Sequence, residues 1–475
     1  MSKVKLFIDN FLVYGFGGII SKIIPLIMVP IVTRLMPSTG YFGISDLHNT
    51  IVQFASAIAI MGMYDAMYRM FFEKDDEEFK KQVCSTALMF TICTSAIVFI
   101  LLIIFRKQVS DFFFGDEQYA NIVYLSAIAT LVGSTNSIIS APTRMQNKRK
   151  VFLVTNTLSP VISYSISIPL LLKGYYLIAL PLAAIIAGLT MEISFGVLNR
   201  KWFRLGHIDK DLLKQLLIIG IPLLPNFLVY WIFNSCDKVM ITNLIGIEAS
   251  GIYSAGSKLG QCSQLIYSAF AGGWQFFAFS TMKEENQVKG NSLIFEYLGI
   301  ISFIVTAFVC ALSYSIFQVL FPKQYLSGYV VAPYLFLAPL LQMLFQVAAN
   351  QFLVVKKTWP NFFILLSGAV FNVLINLFLI PVWGIEGAAV ATLLGYMISD
   401  TICVIVLIRM KLMECEGRFL IGALGMVAYF VLWRLMFSQN VWSGIIGALL
   451  YSVFIMCLYK KEVVYILRFL RISKQ

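Results

Sequence analysis

Long apolar runs separated by short polar ones are the strongest pattern in the chain. Reading each run of about 20 apolar residues as one bilayer crossing predicts fourteen helices. They cover 10–33, 41–64, 83–105, 119–141, 151–172, 175–198, 213–236, 249–280, 293–317, 329–355, 361–381, 385–408, 419–437 and 441–459. The first follows Lys3 and Lys5 but exceeds the length of a signal-peptide core, and no small-residue cleavage site follows it, so it is expected to stay as a span. The pattern predicts an all-α polytopic membrane protein.

The basic residues give the spans a direction. With the N-terminus in the cytoplasm, the inner segments carry 27 Lys and Arg and the outer segments seven, with Lys22 and Lys258 inside helices. That asymmetry holds loop after loop and places both termini in the cytoplasm. Composition agrees: 59% of the 475 residues are hydrophobic and 13% charged, against about 25% charged in a soluble domain. A soluble enzyme is excluded. The net charge of +12 is then the topology signal, attractive to anionic headgroups of the lipid bilayer, and nothing points to nucleic acid. Trp202, Trp359, Trp383 and Trp442 fall where belt residues belong. The tail KKEVVYILRFLRISK reads as a basic amphipathic helix on the inner leaflet.

The eight cysteines are scattered without a CxxC pair, and there are two histidines. Neither a disulfide framework, a zinc site nor His-based catalysis is suggested, and no metal or cofactor is implied. The acid run Asp75–Glu78, flanked by Lys74, Lys80 and Lys81, reads as a solvated loop or helix cap rather than a metal–diphosphate motif. No Walker motif is present.

The chain also resembles itself at an offset near 209 residues: TRLMPSTGYFGIS from Thr33 parallels TNLIGIEASGIYS from Thr242, and Gly188 and Glu192 parallel Gly395 and Asp400. Six helices per copy is an even number, so both copies enter the membrane in one direction, as in transporters with parallel repeats. The expected division is a six-helix lobe over 1–205, a second over 206–412, and two extra helices with the basic tail over 413–475.

Charged groups at membrane depth cost about 2.5–3.5 kcal/mol on insertion scales and so mark candidate sites. Lys22 shares a face with Gly15, Gly18 and Pro25. Lys258 shares one with Gly251, Ser254, Gln261 and Ser268. Asp46 lies on a stripe with Gly43, Thr50 and Gln53, and His48 points away from it. These residues are expected to line a water-filled cavity between the lobes, with Lys22 and Lys258 as anion contacts and Asp46, Gln53 and Gln261 beside them. The alternative is structural, with Lys22 paired to Asp46 and Lys258 snorkelling outward. Glu192 and Asp400 are candidates for proton or sodium binding in a coupling cycle, or for local polar contacts near the inner mouth. Asp237, with Lys238, is expected to end helix 7 at the outer surface as an ion pair or gate contact. Prolines cluster in helices 1 (Pro25, Pro30), 7 (Pro222, Pro225) and 10 (Pro333, Pro339) as candidate hinges.

GIPLLPNFLVYWIFNSCDKVMITNLIGIEASGIYSAGSKL (220–259) resembles the start of the second lobe in polysaccharide-export flippases of the Wzx type. These belong to the multidrug/oligosaccharidyl-lipid/polysaccharide exporter superfamily. PVWGIEGAAVATLLGYM (381–397) and, more loosely, VPIVTRLMPSTGYFGISD (29–46) resemble the same class. The resemblance implies movement of undecaprenyl-diphosphate-linked oligosaccharide units for O-antigen, capsule or exopolysaccharide from the inner to the outer leaflet of a bacterial plasma membrane. It also implies a cationic cavity, to which Lys22 and Lys258 would correspond, and a drive from an H+ or Na+ gradient or the membrane potential. A polysaccharide polymerase and other assembly proteins would be partners. Fourteen spans, where many such flippases have twelve, also resemble the lipid II flippases. A multidrug cation exporter of the same superfamily is a rival, although the outer-half stripes carry lysine against a single Asp46. A membrane polymerase or ligase is a weaker rival, because the longest outer segment, 106–118, leaves little room for a catalytic site.

Overall fold

In a computed structural model the described residues are 23–462, apart from 205, 207, 281, 283, 284 and 358. Among them every regular element is helical, as the apolar pattern predicts. The first described helix, α1, is Ile23–Leu35. It is followed by α2 (Thr39–Ile60), α3 (Met63–Phe71), α4 (Glu77–Ile104), α5 (Arg106–Phe114), α6 (Ala120–Met145), α7 (Arg149–Leu172) and α8 (Ala179–Asn199). Then come α9 (Lys210–Gly220), α10 (Leu224–Trp231), α11 (Asp237–Ile245), α12 (Ile247–Gly260) and α13 (Ser263–Ser280). The last five are α14 (Gln287–Leu320), α15 (Val331–Val354), α16 (Trp359–Arg409), α17 (Gly417–Leu432) and α18 (Val441–Leu458). Among the described residues ten helical runs are long and apolar enough to cross a bilayer, or eleven if the bent pair α2–α3 is one span. The protein is a multi-pass membrane protein.

Local chemistry explains the interruptions. Met61 (φ 48°) and Gly62 (φ 70°) are both left-handed and bend α2 from α3 by 48°. A side chain at Gly62 would be strained in that conformation, and its Cβ would come within 2.3 Å of the Gly220 carbonyl oxygen. Gly384 (φ 59°, ψ −136°) breaks α16 where the sequence separates helices 11 and 12. Pro222 and Pro225 coincide with a 3₁₀ turn, Ile221–Leu223, between α9 and α10. The Asp75–Glu78 run is a cap: Asp76 accepts from the backbone N–H of Glu78 and Phe79 at the start of α4. Asp75 meets Lys80 at 2.6 Å and Glu77 meets Lys81 at 3.0 Å.

The chain forms two compact units. One runs through Ser254 and includes Val373–Ala388; the other holds Ala255–Asn372 and Ala389 onward. In the first, Met63, Met67 and Met70 of α3 pack with Val83 and Ala87 of α4, Ile138 of α6 and Leu216 of α9. Trp202 belongs to this core, its ring 5.2 Å from that of Phe71. Its place in the interface belt is therefore corrected, because the 3₁₀ turn after α8 folds it inward. Trp359, Trp383 and Trp442 are exposed. In the second unit α15 is apolar all round, and nearly every residue from Val331 to Phe352 is buried, as such a helix requires.

Candidate functional site

The buried charge of the first unit is gathered where α2 and α12 cross. These helices hold the two copies of the repeated segment, and their glycines meet. A Cβ on Gly251 would lie 1.9 Å from the Thr39 carbonyl oxygen, and one on Gly43 would lie 2.7 Å from that of Ile247. The Thr39 hydroxyl donates to the Glu248 carbonyl at 3.1 Å. Small residues let the backbones touch, and the touching brings Asp46 to Ser254, which donates to its Oδ2 at 2.9 Å.

Lys238 completes the group. Its Nζ lies 2.6 Å from Asp46 Oδ2, with both side chains almost wholly buried. Just before it, the π-helical turn Ile232–Cys236 leads into α11, a feature that rotates the helix face and recurs at functional sites. Asp237 is also buried, accepting from the Tyr253 hydroxyl at one oxygen and from Asn376 Nδ2 at 3.4 Å at the other. The expectation that Asp237 and Lys238 end a helix at the outer surface is corrected: α11 continues to Ile245 and both residues are enclosed. Two acids, a lysine, a tyrosine, a serine and an asparagine thus form one polar core at membrane depth. Such groups are tolerated there when they satisfy one another.

The other expected residues are dispersed. Lys22 lies outside the described residues. Lys258 is in the last turn of α12, partly buried. Its stripe is broken, since α12 ends at Gly260 and partly buried Gln261 sits in the turn before α13. Gln53 is exposed on α2. His48 faces away from the stripe and meets Ser126 at 2.8 Å. Glu192 on α8 is half-buried and accepts from the Thr135 hydroxyl. Asp400 on α16 is buried, both carboxylate oxygens lacking a hydrogen-bond partner among the described residues. It lines a cavity of about 100 Å3 whose walls are apolar apart from Asp400 and Thr401, and include Phe295, Leu341, Met397 and Phe430.

Sequence reasoning missed Lys238 as the partner of Asp46, and Asn376 altogether. An asparagine in the middle of an apolar run was the available signal for the latter. Chemically, the group holds a lysine charge against a carboxylate, with the Ser254 hydroxyl as the second donor to Asp46. Asn376 turns its amide N–H toward Asp237 and leaves its own Oδ1 buried without a hydrogen-bond partner among the described residues.

Comparison with known proteins adds the following. The chain is similar to the lipid II flippase MurJ in an inward closed conformation, at 14% identity, with 95% of this chain and 100% of that one covered and a TM-score of 0.71. It is similar to an inward-facing multidrug resistance MATE family transporter at 13% identity, covering 82% and 94%, with a TM-score of 0.61. Identities this low establish a shared fold. A sequence relative is the teichuronic acid biosynthesis protein TuaB of Bacillus subtilis (strain 168), 23% identical over 300 residues. That alignment takes in 61% of this chain, which spans about 59% of the relative's length. The family described as polysaccharide biosynthesis protein matches residues 7–283. That match covers more than half of the chain and includes the whole of α2, α11 and α12, and by it the chain belongs to the polysaccharide biosynthesis protein family.

Proposed function

We propose that the protein is a flippase that carries undecaprenyl-diphosphate-linked oligosaccharide units from the inner to the outer leaflet of a bacterial plasma membrane. The observation that carries this reading is the conjunction of a polysaccharide biosynthesis family match with the fold of a lipid II flippase over nearly the whole chain. In this reading the chain makes fourteen spans in two six-helix lobes and an appendage, with both termini cytoplasmic. A diphosphate crossing a low-dielectric region needs fixed positive charge, and Lys22 and Lys258 supply it, with Gln53 and Gln261 as polar contacts. Asp46 serves by holding Lys238 rather than by meeting the anion. Asp237, Glu192 and Asp400 are the acids for a coupling H+ or Na+, and Asp400, buried with both oxygens unpartnered among the described residues, is the one best suited to bind a proton. A polymerase on the outer face would consume the product.

The test is made in the native host with the gene deleted, using a membrane-impermeant glycan label on intact and opened cells. Single repeat units are expected to accumulate on the inner leaflet, and Lys22→Ala and Lys258→Ala are expected to reproduce the defect. Units that still reach the outer leaflet with no second transporter of this family present refute the reading.

A further inference from the structure

Away from the Asp46 group, the first unit holds a second polar feature. A cavity of about 290 Å3 opens among α3, α6, α7 and α8, at the low end of small-molecule sites, which run from about 300 to 1,000 Å3. It has room for one sugar or headgroup and not for a chain. Its walls combine hydroxyls and amides of α6 and α7 with apolar surface from Phe152, Met191 and Phe195; α6 and α7 cross the membrane by length and composition. Polar side chains at that depth need a partner or a wet cavity.

Two of them lack one: Asn136 Oδ1 and Ser137 Oγ are buried without a hydrogen-bond partner among the described residues. Asn156 faces the same space from α7. The one cation in the wall is Arg144. Its guanidinium lies over the Phe152 ring at 5.3 Å and donates to the Tyr64 hydroxyl at 3.0 Å. Stacked on one side and pinned at one corner, the fork is held in place, with further N–H donors to offer. Arg144 and Asp65 are both exposed, and the Asp65 carboxylate lies within electrostatic reach of the guanidinium, so an incoming anion shares the fork with it.

We propose that this cavity binds a polyhydroxy anion, a sugar acid or a glycerophosphate headgroup, with its charged group on the Arg144 fork and its hydroxyls on Asn136, Ser137 and Asn156. An apolar solute would strand the orphaned amide and hydroxyl, and a cation would be repelled by Arg144. The phenyl and phenol rings of Phe152 and Tyr64 supply the apolar surface that a sugar face takes. The site deepens the flippase reading and rests on it for the source of its ligand.

The test uses the full-length protein in phosphatidylcholine nanodiscs. Calorimetric titration with glucuronate is expected to show binding about tenfold or more tighter than with neutral glucose, the worth of one charge-assisted contact. Arg144→Gln should abolish that preference, Arg144→Lys should keep part of it because the charge stays while the fork is lost, and Asn156→Ala should weaken both sugars. In a second arm, phosphatidylglycerol added to the nanodiscs either competes with glucuronate, making a lipid headgroup the occupant, or does not, leaving the soluble sugar acid. Binding in one arm with these variant effects supports the site. No binding in both arms, or binding unchanged in Arg144→Gln and Asn156→Ala, overturns it. A unimodal unfolding transition near that of the unaltered protein certifies each variant as folded. No binding by the unaltered protein together with intact leaflet transfer would sink this site alone, and binding by the unaltered protein with no transfer would sink the flippase reading alone.

Discussion

Lys238→Met removes one half of a buried ion pair. An exposed pair contributes at most about 1 kcal/mol, but Lys238 and Asp46 have side-chain exposures of 7% and 4%, which puts them in the buried regime. There, deleting one partner costs about 3–5 kcal/mol, because the other charge stays desolvated. Ser254 still donates to Asp46 at 2.9 Å and holds the loss near the lower end of that range. Replacing both charges by apolar groups removes the stranded carboxylate, so Lys238→Met with Asp46→Leu should recover most of the loss. The assay is unfolding of the purified protein in detergent, run on the two single variants and the double as a thermodynamic cycle. The reasoning fails if Lys238→Met costs less than about 1 kcal/mol, or if the double variant is no more stable than Lys238→Met.

Three further outcomes are expected. Gly251→Ala forces a Cβ onto the Thr39 carbonyl, 1.9 Å away, so α2 and α12 must separate; stability should fall by more than the roughly 1–3 kcal/mol of ordinary overpacking, and Ala in place of Gly290, which meets nothing within 4 Å, should change it by about 1 kcal/mol or less. Asp400→Asn should leave the unfolding midpoint at pH 8 unchanged or higher, since burying a carboxylate without partners is costly; a clear drop, measured by thermal unfolding, would mean that the charge is satisfied. Burial pulls the Glu462 carboxyl upward, but its hydrogen bond to Arg418, a backbone hydrogen bond and the charges of Arg418 and Lys461 together outweigh this and leave it below the usual range. A depressed value gives stability that is present above about pH 4.3, the ordinary Glu value, and lost as pH falls through the lower folded value. Tryptophan-detected unfolding between pH 5 and 3 should show that slope, and Arg418→Gln should flatten it.

Most of the helix pattern was legible because a membrane span must be long, apolar and internally hydrogen-bonded. The break at Gly384, the cap at Asp76 and the repeat between residues 33–45 and 242–254 are local signals that the sequence carries openly. The site was only partly legible. Asp46 stood out as a charge in an apolar run, yet its partner was assigned to Lys22 or to none, while Lys238 was left at a helix end. The hydrophobic pattern stops near Cys236, whereas a helix stops where its backbone hydrogen bonds do, and here they run on to Ile245.

By itself, the sequence determined the material of this protein: long apolar helices suited to a bilayer, with few charges inside them. Those are properties of single segments in a solvent, and solvation acts on each segment alone. Only the tertiary structure decided which buried charges meet. Asp46 and Lys238 are 192 residues apart in the sequence, and they meet between α2 and α11 beside the close α2–α12 contact at Gly43 and Gly251. Likewise Arg144, an ordinary inner-loop cation in the sequence, became part of a cavity wall only when α3 and α7 brought Tyr64 and Phe152 beside it. Electrostatic partnership falls off over a few ångströms, so it belongs to the packing and not to the order of residues.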